Sequence, residues 1–261
     1  MRSMTMSVRQ LITAVFLILL VPVTMLTLGS AESQLFDGGS VLPRQTPETG
    51  ALGAKDEGGY KTEWFVVEDA SVARLVPNFE SSRRASEAQE VSKCRLLTSG
   101  GFYNEAGGPI GYFQTSGEVL GKFEKNRLFD GVLSVNELGV PRITREVPRD
   151  PLRFGFQAGP VLIENGQSTK LNLKSDKNAR RIIAVTTGEN KLILMAIYDP
   201  KTVFNGPMLS ALQDILESFQ KDNGVIIADA INLDGGTASA FLTETVNLTE
   251  LSPVGSFLCA R

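Results

Sequence analysis

Histidine is missing altogether from the 261 residues. Its absence removes Ser-His-Asp and Cys-His nucleophile systems, histidine zinc sites and histidine general bases in one step. Any chemistry must run on carboxylates, arginine, lysine, tyrosine or hydroxyls. Cysteine occurs only as Cys94 and Cys259, without CxxC spacing, which argues against a redox motif or a thiolate metal site and leaves a disulfide or two buried thiols. Neither sign of charge dominates. The 26 Lys and Arg residues stand against 29 Asp and Glu, mixed along the chain, so there is no electrostatic footprint for nucleic acid, and none is expected as a partner. No complete metal pattern is present, and no cofactor is expected.

What the chain does have begins with an export signal. Arg2 and Arg9 precede the apolar run Leu11 to Leu28, and the small residues Gly29-Ser30-Ala31 follow it where a signal peptidase would cut, before Glu32. The run is also just long enough to span a bilayer as an uncleaved anchor, and Pro22 with the small residues favours cleavage. Residues 1–31 are therefore read as a signal peptide or N-terminal anchor. Either form places the rest of the chain in the periplasm or outside the cell, with the N-terminal segment as its only membrane contact. A Cys94–Cys259 disulfide could persist there.

Residues 32–60 are rich in Gly, Pro, Thr and Glu and read as a flexible linker, with the fold beginning near Lys61. Short strand-like runs then follow one another: "EWFVV", "KCRLLTSG", "PIGYFQ", "GVLSV" and "PRITRE". Glu137-Leu138-Gly139 closes a hairpin between Val132 and Ile143, and Asn165-Gly166 is a tight-turn pair after "GPVLIE". "RRIIAVTT" and "KLILMAIY", joined by Gly188-Glu189-Asn190, read as a central hairpin buried on both faces. One clear helix follows, with Pro207 at its first position, Leu209, Leu212, Ile215, Leu216 and Phe219 on one face, and Asn223-Gly224 as its stop. Ser81 to Lys93 is polar almost throughout and reads as a solvated helix or loop without function. "VIIADAINL" and "VGSFLCA" return as strands. This order predicts an α+β domain, a mixed, largely antiparallel β-sheet core with one or two covering helices.

Three glycine-flanked stretches interrupt the apolar runs. "INLDGGTAS", Ile231 to Ser239, has the spacing of part of a calcium loop, but Ala230 and Phe241 stand where its anchoring carboxylates are required. Taken alone it is a strand running into a turn. Its context is a strand too apolar to be exposed, from whose end Asn232 and Asp234 would emerge on a rigid base. "SGGFYNEAGGPIGY" and "QAGPVLIENG" have the same character. With "ARRIIAVTTG" they occur in the order, and with the residues, of the phosphodiester glycosidase domain family, which the chain resembles from Lys61 to the C-terminus. That domain is found in the enzyme that uncovers mannose 6-phosphate on lysosomal proteins and in many bacterial exported proteins associated with exopolysaccharide.

The resemblance implies hydrolysis of a sugar–phosphate diester on the sugar side, with a carbohydrate or sugar phosphate as partner. A phosphate leaves as a stable anion, so the site needs charge stabilisation more than the protonating acid of an ordinary glycosidase. It implies Asp234 as base or nucleophile at the anomeric carbon and Arg181 as phosphate clamp. Arg180 is the neighbouring candidate for the arginine, with Arg181 preferred because it aligns without a gap. Asn232 would orient the sugar or the aspartate. Ser99, Gly100, Gly101, Gly235, Gly236 and Thr237 would line the substrate, with Tyr103 as a sugar platform. A second carboxylate, where one is needed, would be Glu118, Asp130 or Asp199. Ser99, Ile182 and Pro200 depart from the family's usual asparagine, threonine and glycine. Two other functions therefore stand beside the first: a saccharide-binding envelope protein that has lost catalysis, and a glycosidase acting on ordinary glycosides.

Overall fold

The structure, a computed structural model, describes residues 52–57 and 59–261. The expected export segment and most of the tract 32–60 lie outside the described residues. The fold is α+β, and every strand pairing among the described residues is antiparallel.

Seven strands form the first sheet: β1 (Leu52–Glu57), β2 (Tyr60–Val67), β10 (Val161–Glu164), β11 (Gln167–Ser168), β12 (Arg181–Thr187), β13 (Leu192–Tyr198) and β14 (Ile227–Asn232). Their order is β1-β2-β13-β12-β14-β10-β11. β12 and β13 pair Ala184 with Leu194 and are buried almost end to end, as their continuous apolar runs require of a sheet covered on both faces. β1 lies inside the tract whose glycine-rich composition predicts a linker. It is an edge strand paired with β2, and its Lys55 forms an ion pair with Asp222.

The second sheet contains β3 (Ala73–Pro77), β4 (Leu96–Ser99), β15 (Phe241–Leu242), β16 (Asn247–Leu248) and β17 (Ser256–Ala260), in the order β16-β15-β4-β17-β3. The third contains β5 (Phe113–Thr115), β6 (Glu118–Gly121), β7 (Gly131–Asn136), β8 (Pro141–Thr144) and β9 (Leu152–Ala158), in the order β6-β5-β9-β7-β8. One core joins all three. Ile182, Ala184 and Leu194 of the first sheet, Leu75, Leu96 and Leu258 of the second, and Phe113, Leu133 and Phe156 of the third belong to a single buried cluster.

The opposite face of the first sheet carries Ile183, Val185, Ile193 and Met195, and α2 (Leu212–Asn223) covers it with Leu212, Leu216 and Phe219. Phe219 meets Trp64 edge to face, 5.1 Å between ring centroids. Burying these three helical side chains contributes roughly 1.5–3 kcal/mol each. Gly224 stops the helix in the left-handed region, at φ 64°. The start differs from the sequence reading. Pro207 precedes a 3-10 turn, Leu209–Ala211, whose leading N–H groups at Leu209 and Ser210 are accepted by the carboxylate of Asp176 from a distant loop. The polar stretch before Cys94 is indeed helical: α1 (Ala85–Ser92) buries only Ala85 and Ala88. Cys94 at its end is bonded to Cys259 of β17.

Candidate active site

β14 ends at Asn232 between β12 and β10, in the interior of the first sheet. Leu233 is fully buried and donates its N–H to the Ile182 carbonyl, continuing the pairing by one residue. Asp234 then leaves the sheet. Its N–H is accepted by the carbonyl of Gly100, just past the end of β4, and its carbonyl accepts the Ser99 hydroxyl at 2.8 Å. The aspartate therefore sits where the first and second sheets meet, gripped by backbone on one side and a serine on the other. Ser99, expected to line the substrate, is wholly buried and occupied with this task.

Gly100 and Gly235 are glycines because the chain packs too tightly there for anything larger. A Cβ on Gly100 would lie 2.7 Å from Ser256 Oγ, and one on Gly235 would lie 2.5 Å from the Arg180 carbonyl. Gly101 packs over Phe156 and the Gln157 carbonyl, and Gly236 donates its N–H to the same Arg180 carbonyl. Thr237 is exposed, and its carbonyl accepts the N–H groups of Leu251 and Ser252, which ties the loop after Asp234 to the 250s segment.

The Asp234 side chain is 9% exposed, and no ion pair or side-chain donor reaches it among the described residues. Burial pushes its carboxyl up to about 7, opposed only by a hydrogen bond from the Gly235 N–H. Tyr103 is close enough for the Asp234 charge to raise its phenol further, after burial has done the larger part. The phenol donates to the Pro253 carbonyl. A buried carboxyl titrating near neutrality, without a cation to hold it ionised, has the electrostatics of an acid–base or nucleophilic group.

The other predicted residues are placed differently. Asn232 is buried and donates from Nδ2 to the Gly159 carbonyl at 3.0 Å, while its Oδ1 has no partner. Arg181 opens β12 and Arg180 immediately precedes it, and the two side chains make separate contacts. Arg180 is fully buried. It donates from Nε to Ser239 Oγ at 2.8 Å and from NH2 to the carbonyls of Ser239 and Thr249, and its guanidinium stacks 4.8 Å from the Phe204 ring centroid. Burial brings it down to about 10, with the charge of Glu250 opposing. It thereby anchors the loop that follows Asp234. Arg181, the preferred clamp, donates to the carbonyls of Pro207 and Lys177 and lies 3.6 Å from Asp176, on the α2 side. No contact joins either guanidinium to the Asp234 carboxylate.

The candidate second carboxylates are also engaged elsewhere. Asp130 binds Arg145 and the Val161 N–H, Asp199 accepts the Lys201 N–H in a turn, and Glu118 is exposed on β6. Gln157, which lies within the second motif stretch, has a definite role. Its Oε1 accepts the Tyr112 and Glu124 N–H groups and its Nε2 donates to the Glu124 and Phe129 carbonyls, fixing the 124–129 loop. A buried glutamine beside a glycine turn was the available signal. Among the described residues no three Cys, Asp or Glu side chains gather as a metal site. Grooves of about 510 Å³ beside β3 and about 530 Å³ beside β8 do not include Asp234 in their linings.

The model of the phosphodiester glycosidase family matches residues 92–258, well over half of the chain. The chain belongs to the phosphodiester glycosidase family. Among solved structures, it is similar to the zebrafish N-acetylglucosamine-1-phosphodiester alpha-N-acetylglucosaminidase catalytic domain, auto-inhibited by its pro-peptide. That match has a TM-score of 0.60 and 14% identity, over 80% of this chain and 81% of that one. A hypothetical protein from Synechocystis matches with a TM-score of 0.60 and 12% identity, over 80% of this chain and 61% of that one. At these identities the structural likeness carries the fold alone. No curated sequence adds a relative. All four motif stretches of the chain, from Ser99 to Ser239, fall inside the matched span.

Proposed function

We propose that this member of the phosphodiester glycosidase family is an exported hydrolase that cleaves a sugar-1-phosphodiester, or a related glycan linkage, at the sugar carbon. Water adds at C1, the C1–O bond breaks, and its electron pair leaves with the phosphate monoester. The observation that carries this reading is the Asp234 carboxyl: buried, unpaired, brought to about 7, and held by the family's own signature residues where two sheets meet. Ionised, it serves as base toward the water or as nucleophile toward C1. Tyr103 borders it as a wall for the sugar. Arg180 acts by holding the Gly235–Ser239 loop in place.

An exported setting is supported by the apolar N-terminal run and by the Cys94–Cys259 bond, which suits an oxidising compartment. Envelope or extracellular polysaccharide is the corresponding substrate pool. A second reading, saccharide binding without turnover, draws support from the commitment of Arg181 to Pro207, Lys177 and Asp176. Assaying the chain and its Asp234→Asn variant on an activated sugar-1-phosphodiester and on an aryl glycoside separates the readings. Release of sugar from the diester only, falling about 100-fold or more in the variant, is the expected result. Cleavage of the aryl glycoside alone would make it an ordinary glycosidase, and binding without release a lectin-like protein. Unchanged turnover in the variant would remove the aspartate from the mechanism.

A further inference from the structure

A smaller cavity, of about 290 Å³, opens between the 126–130 loop and the segment that follows β11. Arg127, Arg145 and Lys170 line it, with Asp130 as its one carboxylate, and Asp130 is already bound to Arg145. Arg145 is shared between Asp130 and Glu164, so Arg127 and Lys170 are the cations of the lining that no carboxylate pairs with among the described residues. An anion entering here meets the positive charge of these two side chains.

The cavity is built before any ligand arrives. Arg145 is held from two sides, by Asp130 and by a two-point contact with Glu164 at 3.0 Å from Nε and from NH2. Asp130 is itself fixed by the Val161 N–H at 2.8 Å. On one wall, Asn126 Oδ1 accepts the Leu128 and Phe129 N–H groups, and Gln157 ties down the Phe129 carbonyl. On the other, Thr169 donates its hydroxyl to the Val161 carbonyl, and its own carbonyl accepts from Gln213 of α2. Binding would therefore require little ordering of the protein.

The remaining lining narrows the ligand. Pro160, Val161 and Leu171 offer an apolar surface, and Asn126 and Asn172 offer amides, but no aromatic ring lines the cavity on which a nucleobase could stack. Cations beside amides and a small apolar patch suit a sugar ring that carries an anion. Arg145 also lines the 530 Å³ groove, together with Arg142, Glu164, Asn165 and Asp229, so the two depressions meet at this side chain, and the carboxylates beyond it confine the anion to the smaller one.

We propose that the Arg127–Arg145–Lys170 cavity is a binding site for an anionic saccharide, a sugar bearing a phosphate or a carboxylate, separate from the Asp234 carboxyl. The site holds on to a charged glycan whether or not Asp234 turns a substrate over. Its test is calorimetric titration of the full chain with mannose 6-phosphate, a galacturonate trimer and neutral maltotriose. The Arg127→Ser/Lys170→Ser double variant and Asp234→Asn are titrated in parallel. Arg127 and Lys170 are exposed, so the double variant keeps the fold. At least one anionic probe should bind, weaken about tenfold in the double variant, and bind Asp234→Asn as it binds the parent chain. Which of the two binds identifies the anion. Equal binding of maltotriose, no binding of either anionic probe, or affinity unchanged in the double variant overturns the site. Loss of binding in Asp234→Asn with the double variant unaffected would return the probe to the Asp234 pocket.

Discussion

Asp234 shows how one side chain ties chemistry to stability. Its carboxyl is pushed up to about 7 by burial, against an ordinary 3.8. Between those values the folded chain keeps a proton that the unfolded chain has released. The stability linked to this group is thus fully present below about pH 4 and is lost as pH rises through 7. Two outcomes follow from the same number. If the ionised form acts, kcat/KM on a sugar-1-phosphodiester climbs as pH rises through about 7 and levels above it, because the diester itself does not titrate there. A profile that falls through that range would make Asp234 the proton donor instead. Asp234→Asn, neutral at every pH, should melt higher than the parent chain, by a margin that grows from pH 4 to pH 8 and reaches roughly 4 kcal/mol at most. A margin independent of pH would mean that the carboxyl is not desolvated. A variant that gains stability while losing activity is the pattern expected of a group buried for its chemistry.

At the scale of elements, the strongly apolar ones were legible and the polar ones were not. β12, β13 and α2 announce themselves by continuous apolar runs or a helical period, and the Asn165-Gly166 and Gly188-Glu189-Asn190 turns fall where their residues demand. β1, β3, β15 and β16 are short or lie at sheet edges. Pairing with a neighbour decides them, and the residues of the strand itself do not show which neighbour that is. The arginines failed to resolve for a related reason. Adjacent on the chain, they take different partners, Ser239 and Thr249 for Arg180 and Pro207 and Asp176 for Arg181, and those partners set their roles. The entry of α2 was misplaced because Asp176, the group that accepts its first N–H donors, comes from a loop 33 residues earlier than Leu209. Asp176→Ala should therefore cost about 1–2 kcal/mol in denaturant unfolding, through the lost cap and the freed Arg181. Midpoints unchanged within error would show that the 3-10 turn stands on its packing alone.

For the whole molecule, the residues that define the site lie far apart in the chain, and the fold must bring β4, β12 and β14 together before Asp234 has any surroundings. The Cys94–Cys259 bond spans this entire arrangement, with a sequence separation of 165, and encloses all four motif stretches. It lies in a buried cluster of its own with Leu97, Leu242 and Phe257, on the side of the second sheet that faces α1. A cross-link closing so long a loop acts mainly on the unfolded chain, whose freedom it reduces by about 5 kcal/mol in the loop-entropy description. The Cys94→Ser/Cys259→Ser variant should then melt roughly 10–20 °C lower, yet turn over substrate at the parental rate at a temperature where it remains folded. Melting curves and initial rates on the same preparations check both halves. A parental melting point would show that packing alone holds the second sheet, and lost turnover in a folded variant would show that the bond also positions Gly100 against Asp234.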